Sequence, residues 1–184
     1  PDHIGGLIPL LFYRKLFGIN STLILIGPPQ LQAYFEDSFQ HSGLNNNQDL
    51  KWINISKNNN INLADEIEIT AMEMKHKIPC WGYRFSDSRK KIVFITDTLP
   101  NSNAVKLAHD ADLLIHEATF SHQLKDKAAD HFHTTEIQAM EIADEANVHR
   151  LILTHFSQRL SDGDVQEWTW NGKPCVVFDE RVDI

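Results

Sequence analysis

The chain has 184 residues, of which 42% are hydrophobic and 23% charged, a balance typical of one folded globular domain spanning residues 1–184. Its formal net charge of −8 argues against a protein that binds polyanions over its whole surface, so a nucleic-acid substrate would have to meet a local basic patch or metal ions. Cys80 and Cys175 lack the number and spacing of a disulfide framework or a thiolate zinc site, which favours a reducing cytoplasm. No apolar run approaches the ~18 residues of a membrane span, so no membrane association is expected.

The first third of the sequence predicts helices and strands in alternation. Apolar residues dominate 4–17 and predict a helix, and the stretch 22–26 (TLILI) predicts a short buried strand. A Gly-Pro-Pro break then precedes a predicted helix at 30–40, whose apolar residues share one face. A further strand is expected at 50–55, between two asparagine-rich loops.

From residue 66 onward the pattern changes. Alternation with a period of two predicts strands at 66–74, 81–85 and 91–96, the last two joined by a turn at Asp87–Lys90. The remaining predicted elements are a helix at 103–109, a strand at 112–116, a helix at 134–146, a strand at 151–154, a turn at Asn171-Gly172 and a strand at 175–178. Strands that alternate with helices indicate an α/β sandwich.

Side chains that can bind metal follow four of the predicted strands. His76, Asp97 and His155 each come directly after a strand, and His116-Glu117 closes another. Active sites of layered α/β folds are assembled from loops at such ends. A single histidine or aspartate there is usually a cap or a surface group, but imidazole and carboxylate groups from four strands together predict a divalent metal centre. Asp97 is suited to bridge two metals that activate a water.

Short motifs along the chain resemble those of one enzyme family. The segment Asp2–Leu7 (DHIGGL) looks like the second half of the HxHxDH signature of the metallo-β-lactamase superfamily. Further segments resemble motifs of its ribonuclease Z branch, the tRNA 3′-processing endonucleases: His76 with Gly82-Tyr83-Arg84 (H…GYR), Asp97-Thr98 (GDT), Leu114–Phe120 (HEAT), His133–Glu136 (HST) and Leu153–Arg159 (LTH-x-S-x-R). Their order and approximate spacing agree with the family across nearly the whole chain.

The resemblance implies the αββα sandwich of the metallo-β-lactamase fold, with the N-terminal part of the first sheet missing from this chain. It also implies two zinc ions in the intact protein, with manganese or iron as alternatives that suit the same ligands. Asp2, His3, Asp97 and His155 would hold one metal. Asp97 would bridge to a second metal, which His76 also binds.

Catalytic roles follow from the same resemblance. Asp2 would also orient the attacking hydroxide, and His133, held by Glu117, would serve as general acid toward the leaving oxygen. Arg159 would pair with a substrate phosphate, because a guanidinium group matches phosphate geometry. His116 is expected to be a buried structural residue. The implied substrate is precursor tRNA, and the implied assembly is a homodimer.

Two features depart from the family pattern. The two histidines of HxH would lie before Pro1, so this chain is expected to be metal-poor and to expose an apolar face of its first sheet. The branch commonly inserts a long tRNA-gripping arm between GYR and GDT, whereas only Phe85–Thr96 separates Arg84 from Asp97.

These departures leave two alternatives open. The first is a phosphodiesterase or other hydrolase of the same fold that acts on a smaller substrate, because this scaffold supports several chemistries. The second is a non-catalytic remnant that dimerises or binds a partner protein.

Overall fold

A computed structural model describes residues 4–42, 50–56, 59–63, 66–158, 160, 165 and 167–175. The chain forms two compact units, residues 1–58 and 59–184. The expectation of a single domain stays a prediction. In the part of the chain that the structure describes, no helix is long and apolar enough to cross a membrane.

The first unit contains two helices and a two-stranded parallel sheet. Its elements are α1 (Leu7–Leu16), β1 (Leu23–Gly27), α2 (Pro29–Ser42) and β2 (Leu50–Asn54), and β1 pairs with β2. Leu11 of α1 and Phe35 and Phe39 of α2 form its buried core, and Trp52 of β2 stacks on Phe35 with ring centroids 6.0 Å apart. The four predicted elements of this region are therefore confirmed, each within a few residues at its ends.

The second unit is built on a six-stranded sheet with the order β3-β4-β5-β6-β7-β8. The strands are β3 (Asn60–Asn62), β4 (Glu68–Met74), β5 (Cys80–Ser86), β6 (Lys91–Ile95), β7 (Leu113–Glu117) and β8 (Leu151–Thr154). The pairs from β3 to β6 are antiparallel, and β6, β7 and β8 are mutually parallel. Because two antiparallel pairings separate β4 from β6, the strands β4, β6, β7 and β8 run in one direction and end at the same edge of the sheet.

Two helices cover one face of this sheet. They are α3 (Ser102–Ala108) and α5 (Glu136–Glu145), and the short α4 (Lys125–Asp130) precedes α5. Val93 and Ile95 lie two residues apart on β6, so they share a face, and both pack in one buried cluster with Leu107 of α3 and Ile142 of α5. Burial of each such side chain contributes roughly 1.5–3 kcal/mol, which makes this cluster the main support of the sheet.

The GYR element serves this packing. A Cβ atom on Gly82 would lie 2.8 Å from Cε of Met74 and 2.9 Å from Cδ2 of Leu107, so only glycine lets α3 approach β5 this closely. The Arg84 guanidinium donates to the carbonyl oxygens of Leu107 and His109 at 3.0 and 2.9 Å. These carbonyls lie at the carboxyl end of α3, where a cation also interacts favourably with the negative end of the helix dipole.

Several local features differ from the sequence predictions or extend them. β3 pairs with β4 through buried Ile61 where a polar loop was expected, and α4 was not predicted. The predicted turn at Asn171-Gly172 is confirmed: it joins β9 (Thr169–Trp170) to β10 (Lys173–Pro174), and both turn residues have positive φ. The predicted strand at 175–178 lies almost wholly outside the described residues.

Candidate metal centre

The ends of β6, β7 and β8 bring three chemically active side chains to one edge of the sheet. Asp97 follows β6, Glu117 is the last residue of β7, and His155 follows β8. Asp97 and His155 have φ values of 52° and 59°, in the left-handed region that few non-glycine residues adopt. Such conformations cluster at functional sites, where the surrounding structure holds them in place.

Asp97 and His155 lie with His133 in a group of residues that could hold a divalent metal ion. One ligand atom from each of Asp97, His133 and His155 lies within 4.8 Å of the others. Oδ1 of Asp97 is 3.6 Å from Nε2 of His155 and 3.9 Å from Nδ1 of His133. The side chains are 15%, 17% and 28% exposed, respectively for Asp97, His133 and His155, which leaves them reachable from solvent. One carboxylate and two imidazoles are the donor types that zinc, manganese and iron accept.

The carboxylate of Glu117 organises this group from beneath. It is fully buried, and its Oε1 accepts the backbone N–H of Thr98 at 2.6 Å. Its Oε2 accepts from Nδ1 of His133 at 3.0 Å, from the backbone N–H of Thr134 at 3.2 Å and from the hydroxyl of Thr119. A buried carboxylate that receives this many donors is satisfied in its ionised form.

The electrostatics of Glu117 and His133 are coupled. Burial would raise the pKa of Glu117, but hydrogen bonds from His133 and Thr119 outweigh burial and lower it. Burial would lower the pKa of His133, but its hydrogen bond to Glu117 and the charges of Glu117 and Asp97 outweigh burial and raise it. The pair therefore favours an ionised Glu117 beside a protonated His133.

Thr98 and Thr134 connect the loops that carry these side chains. Both are fully buried, and the Thr134 hydroxyl donates to the carbonyl oxygen of Thr98 at 2.6 Å. The Thr98 hydroxyl accepts the backbone N–H of Lys75 at 3.2 Å, and Asn101 donates to it at 2.8 Å. The loops after β4 and β6 and the segment before α5 are thus tied at one point.

His76 lies beside the group. Its Nδ1 is 3.2 Å from the carbonyl oxygen of Phe132, which accepts only, so Nδ1 carries a hydrogen and Nε2 is the ring nitrogen left to act as a ligand. The ring centroids of His76 and His133 are 5.5 Å apart. The end of β4 therefore contributes to the same edge, as the sequence predicted, although His76 is not one of the three groups that lie within 4.8 Å.

Two further side chains near this edge, those of His116 and Cys80, favour their neutral forms and contact backbone carbonyl oxygens. His116 is fully buried, donates from Nδ1 to the carbonyl oxygen of Glu117 at 2.8 Å, and has a pKa lowered by burial. Burial and the charge of Asp97 raise the pKa of Cys80 to about 12, so this residue is a neutral thiol whose Sγ donates to the carbonyl oxygen of Thr96. The expected structural role of His116 fits its burial.

Three predicted site residues, Asp2, His3 and Arg159, lie outside the described residues. Sequence reasoning missed the hydroxyls of Thr98, Thr119 and Thr134, because it searched for ionisable groups only. The signal was present: each threonine lies within two residues of a predicted ligand, acid or carboxylate.

The chain is similar in sequence and in structure to several known proteins. The beta-lactamase superfamily domain matches residues 1–156. Ribonuclease BN of Proteus mirabilis is 30% identical over 90% of this chain and 71% of its own length, and ribonuclease Z of Picosynechococcus is 30% identical over 89% and 67%. The crystal structure of human tRNase Z, short form, superposes with a TM-score of 0.63 and 28% identity over 75% of this chain and 61% of that protein.

Proposed function

Because the chain belongs to the ribonuclease Z branch of the metallo-β-lactamase superfamily, a group of metal-dependent hydrolases, we propose that it cleaves the 3′ extension from precursor tRNA. The observation that carries the proposal is the convergence of Asp97, His133 and His155 within 4.8 Å, above the buried Glu117. Hydrolysis by a metal-activated water requires metal ligands, which Asp97 and His155 can provide. It is helped by a general acid, and the raised pKa of His133 suits that role.

The site is proposed to hold two metal ions. The proposed ligands are Asp97 and His155, together with His76, Asp2 and His3. The chain belongs to a fold that holds divalent metal, and we propose zinc as the native ion, with manganese and iron as alternatives. When bound, the metal supplies a Lewis acid that activates water for attack on phosphorus. Asp97, whose Oδ1 is 3.6 Å from Nε2 of His155, would contribute to both metal positions, as the family resemblance implies.

His133 is the proposed general acid. Its Nδ1–H is held by Glu117 at 3.0 Å, so the proton that it can transfer is the one on Nε2. The raised pKa favours the form that carries this proton, which His133 would donate to the 3′ oxygen that leaves the phosphorus. Asp2 is proposed to orient the attacking water, and Arg159 to contact the substrate phosphate.

One observation favours a second candidate, a hydrolase of small phosphodiesters. β5 ends at Ser86 and β6 begins at Lys91, so a turn of four residues occupies the place where the ribonuclease Z branch commonly carries its tRNA-gripping arm. A long RNA would then have to be held by other surfaces, against a net charge of −8.

The proposed enzyme works as a homodimer in the cytoplasm. Leu16 and Phe17, at the end of α1, are 81% and 62% exposed, and a second copy of the chain would remove such apolar surface from water. Cys80 and Cys175 are both free thiols, which suits a reducing compartment.

The test compares two substrates. The full-length protein with zinc is incubated with a 3′-extended precursor tRNA and, separately, with bis-p-nitrophenyl phosphate, beside Asp97→Ala, His133→Ala and the control His149→Ala. Cleavage after the discriminator base that only the first two variants lose supports tRNA processing. Hydrolysis of the small diester alone favours the second candidate, and no turnover of either contradicts both and favours a non-catalytic remnant.

A further inference from the structure

The hydroxyl of Thr119 lies between a proposed metal ligand and the buried carboxylate. Its Oγ1 is 2.8 Å from Nδ1 of His155 and 2.5 Å from Oε2 of Glu117. Thr119 is only 7% exposed, so water does not readily compete for these contacts. The three groups form a chain of two hydrogen bonds that runs from His155 to Glu117.

The direction of both hydrogen bonds follows from counting hydrogens. Each carboxylate oxygen of Glu117 already receives one backbone N–H, Oε1 from Thr98 and Oε2 from Thr134, so the carboxylate is an acceptor at both oxygens. The single hydroxyl hydrogen of Thr119 must then point to Oε2. Its oxygen faces Nδ1 of His155 with a lone pair, and Nδ1 must carry the hydrogen.

We propose that Thr119 is a positioning residue that fixes the Nδ1–H tautomer and the ring orientation of His155. In that tautomer the lone pair lies on Nε2, the atom that is 3.6 Å from Oδ1 of Asp97. Outer partners of this kind hold a ligating imidazole in its productive orientation. The proposal rests on the metal centre of the proposed function and is independent of the substrate.

Glu117 thereby acts on both histidines through one oxygen. Oε2 accepts from Nδ1 of His133 directly at 3.0 Å and from His155 through the Thr119 hydroxyl. The backbone supports this arrangement, because the N–H of Ala118 donates to the carbonyl of Thr154 and the N–H of Ser157 donates to that of Thr119. With the main chain held, the Thr119 hydroxyl selects the tautomer and rotation of the His155 ring.

The first measurement is the affinity of the full-length protein for zinc, determined by competition with a chromophoric chelator. Thr119→Val keeps the shape of the side chain and removes the hydroxyl, and we expect affinity to fall about 10- to 100-fold. Thr119→Ser restores the hydroxyl and should bind within about threefold of the unmodified protein. Thr135→Val is the matched control, because Thr135 is also buried and its hydroxyl contacts Gln138 and His122 instead. It should lower thermal stability and leave zinc affinity unchanged.

The second measurement reads the tautomer itself, by long-range ¹H–¹⁵N spectra of the chelator-treated protein. His155 should show a protonated Nδ1 in the unmodified protein and in Thr119→Ser, and a mixture of tautomers in Thr119→Val. An unchanged tautomer in Thr119→Val, or equal loss of zinc affinity in the valine and serine variants, overturns the proposal. If the unmodified protein binds no zinc, the proposed metal function fails, whereas the tautomer measurement still decides the role of Thr119.

Discussion

The two ends of the six-stranded sheet each carry two acidic residues and two histidines, but the two groups differ in their surroundings. The carboxyl-end cluster consists of Asp97, Glu117, His133 and His155, and the amino-end cluster of His109, Asp110, Asp112 and His149. In the amino-end cluster, Asp112 accepts the backbone N–H of Lys91 at 2.8 Å, and Asp110 accepts from the side chain of Asn147 at 2.7 Å. Its two histidines are each 66% exposed and pair singly with an aspartate.

What separates the two clusters is burial and a shared partner. In the carboxyl-end cluster, one fully buried carboxylate receives donors from several loops, and the histidines are mostly enclosed. Exposed pairs such as His109 with Asp110 are screened by water and contribute little to stability. Aspartate and histidine at a strand end are therefore insufficient to make a site, and the buried acceptor that aligns them is the distinguishing feature.

The largest expected effect comes from removing the shared carboxylate ligand. Asp97→Asn should lower the rate of phosphodiester hydrolysis by about 10³-fold or more even at saturating zinc, because it removes a charged ligand from a metal site whose stabilisation of the transition state is worth several kcal/mol. Asp112→Asn makes the same chemical change in the amino-end cluster and should alter the rate less than twofold. Both rates are measured at saturating zinc with bis-p-nitrophenyl phosphate and with precursor tRNA. Equal losses in the two variants would contradict the distinction between the clusters.

The next effect concerns the general acid and its pH dependence. His133→Gln should lower kcat by about 10²-fold, and the same change at exposed His149 should not. Because the folded pKa of His133 is raised, activity should persist above the ordinary histidine pKa of about 6.5 and fall as pH rises through the raised value. Glu117→Gln removes the charge that raises it, so the fall should move to lower pH. If the alkaline limb of the kcat profile is identical in Glu117→Gln and in the unmodified protein, Glu117 does not raise the pKa of the general acid.

His116 is expected to make stability depend on pH, because its pKa is shifted downward, in the opposite direction to that of His133. Its folded pKa is lowered by complete burial, so the unfolded chain binds the proton more readily and stability falls as pH drops below about 6.5. His116→Asn should flatten that decline, as measured by urea unfolding of the chelator-treated protein between pH 8 and pH 5. His109→Asn, at an exposed position, should leave the decline as it is. If both variants decline like the unmodified protein, His116 is not the group responsible.

The smallest effect is expected within the amino-end cluster. The pKa of Asp110 is lowered, first by its hydrogen bond from Asn147, yet the side chain is 43% exposed and the interaction is screened by water. Asp110→Asn should therefore shift Tm by no more than about 2 °C and leave zinc affinity unchanged. A shift of several degrees, or a loss of zinc binding, would show that this end of the sheet also supports the metal centre.

Much of the fold followed from hydrophobic periodicity, because the strands β4 to β8 are short, regular and bounded by turns. The period of two in residues 66–74 and the apolar runs at 91–96 and 151–154 each identified a strand to within two residues. β3 was not predicted, because a three-residue strand among asparagines shows no periodic pattern of apolar residues. Its stability comes from pairing with β4, which a single sequence does not display.

The candidate site was only partly accessible from the sequence. Strand ends predicted that His76, Asp97 and His155 would share an edge, and the direction of β4, β6, β7 and β8 explains why they do. The role of Thr119 could not be predicted, because it depends on the distances between one hydroxyl, one ring nitrogen and one carboxylate oxygen. Local sequence does not fix such distances.

The turn between β5 and β6 is a position at which a new segment could be inserted into the protein. Its four residues, Asp87–Lys90, are all exposed, and the side chain of Asp87 closes the turn by accepting the N–H groups of Arg89 and Lys90. Exposed turn tips of this kind are where chains accept inserted segments, because the flanking strand ladder supplies the stability. We expect a basic helical hairpin spliced between Ser86 and Lys91 to fold without disturbing the sheet and to increase affinity for RNA, which would make substrate length an engineerable property of this scaffold.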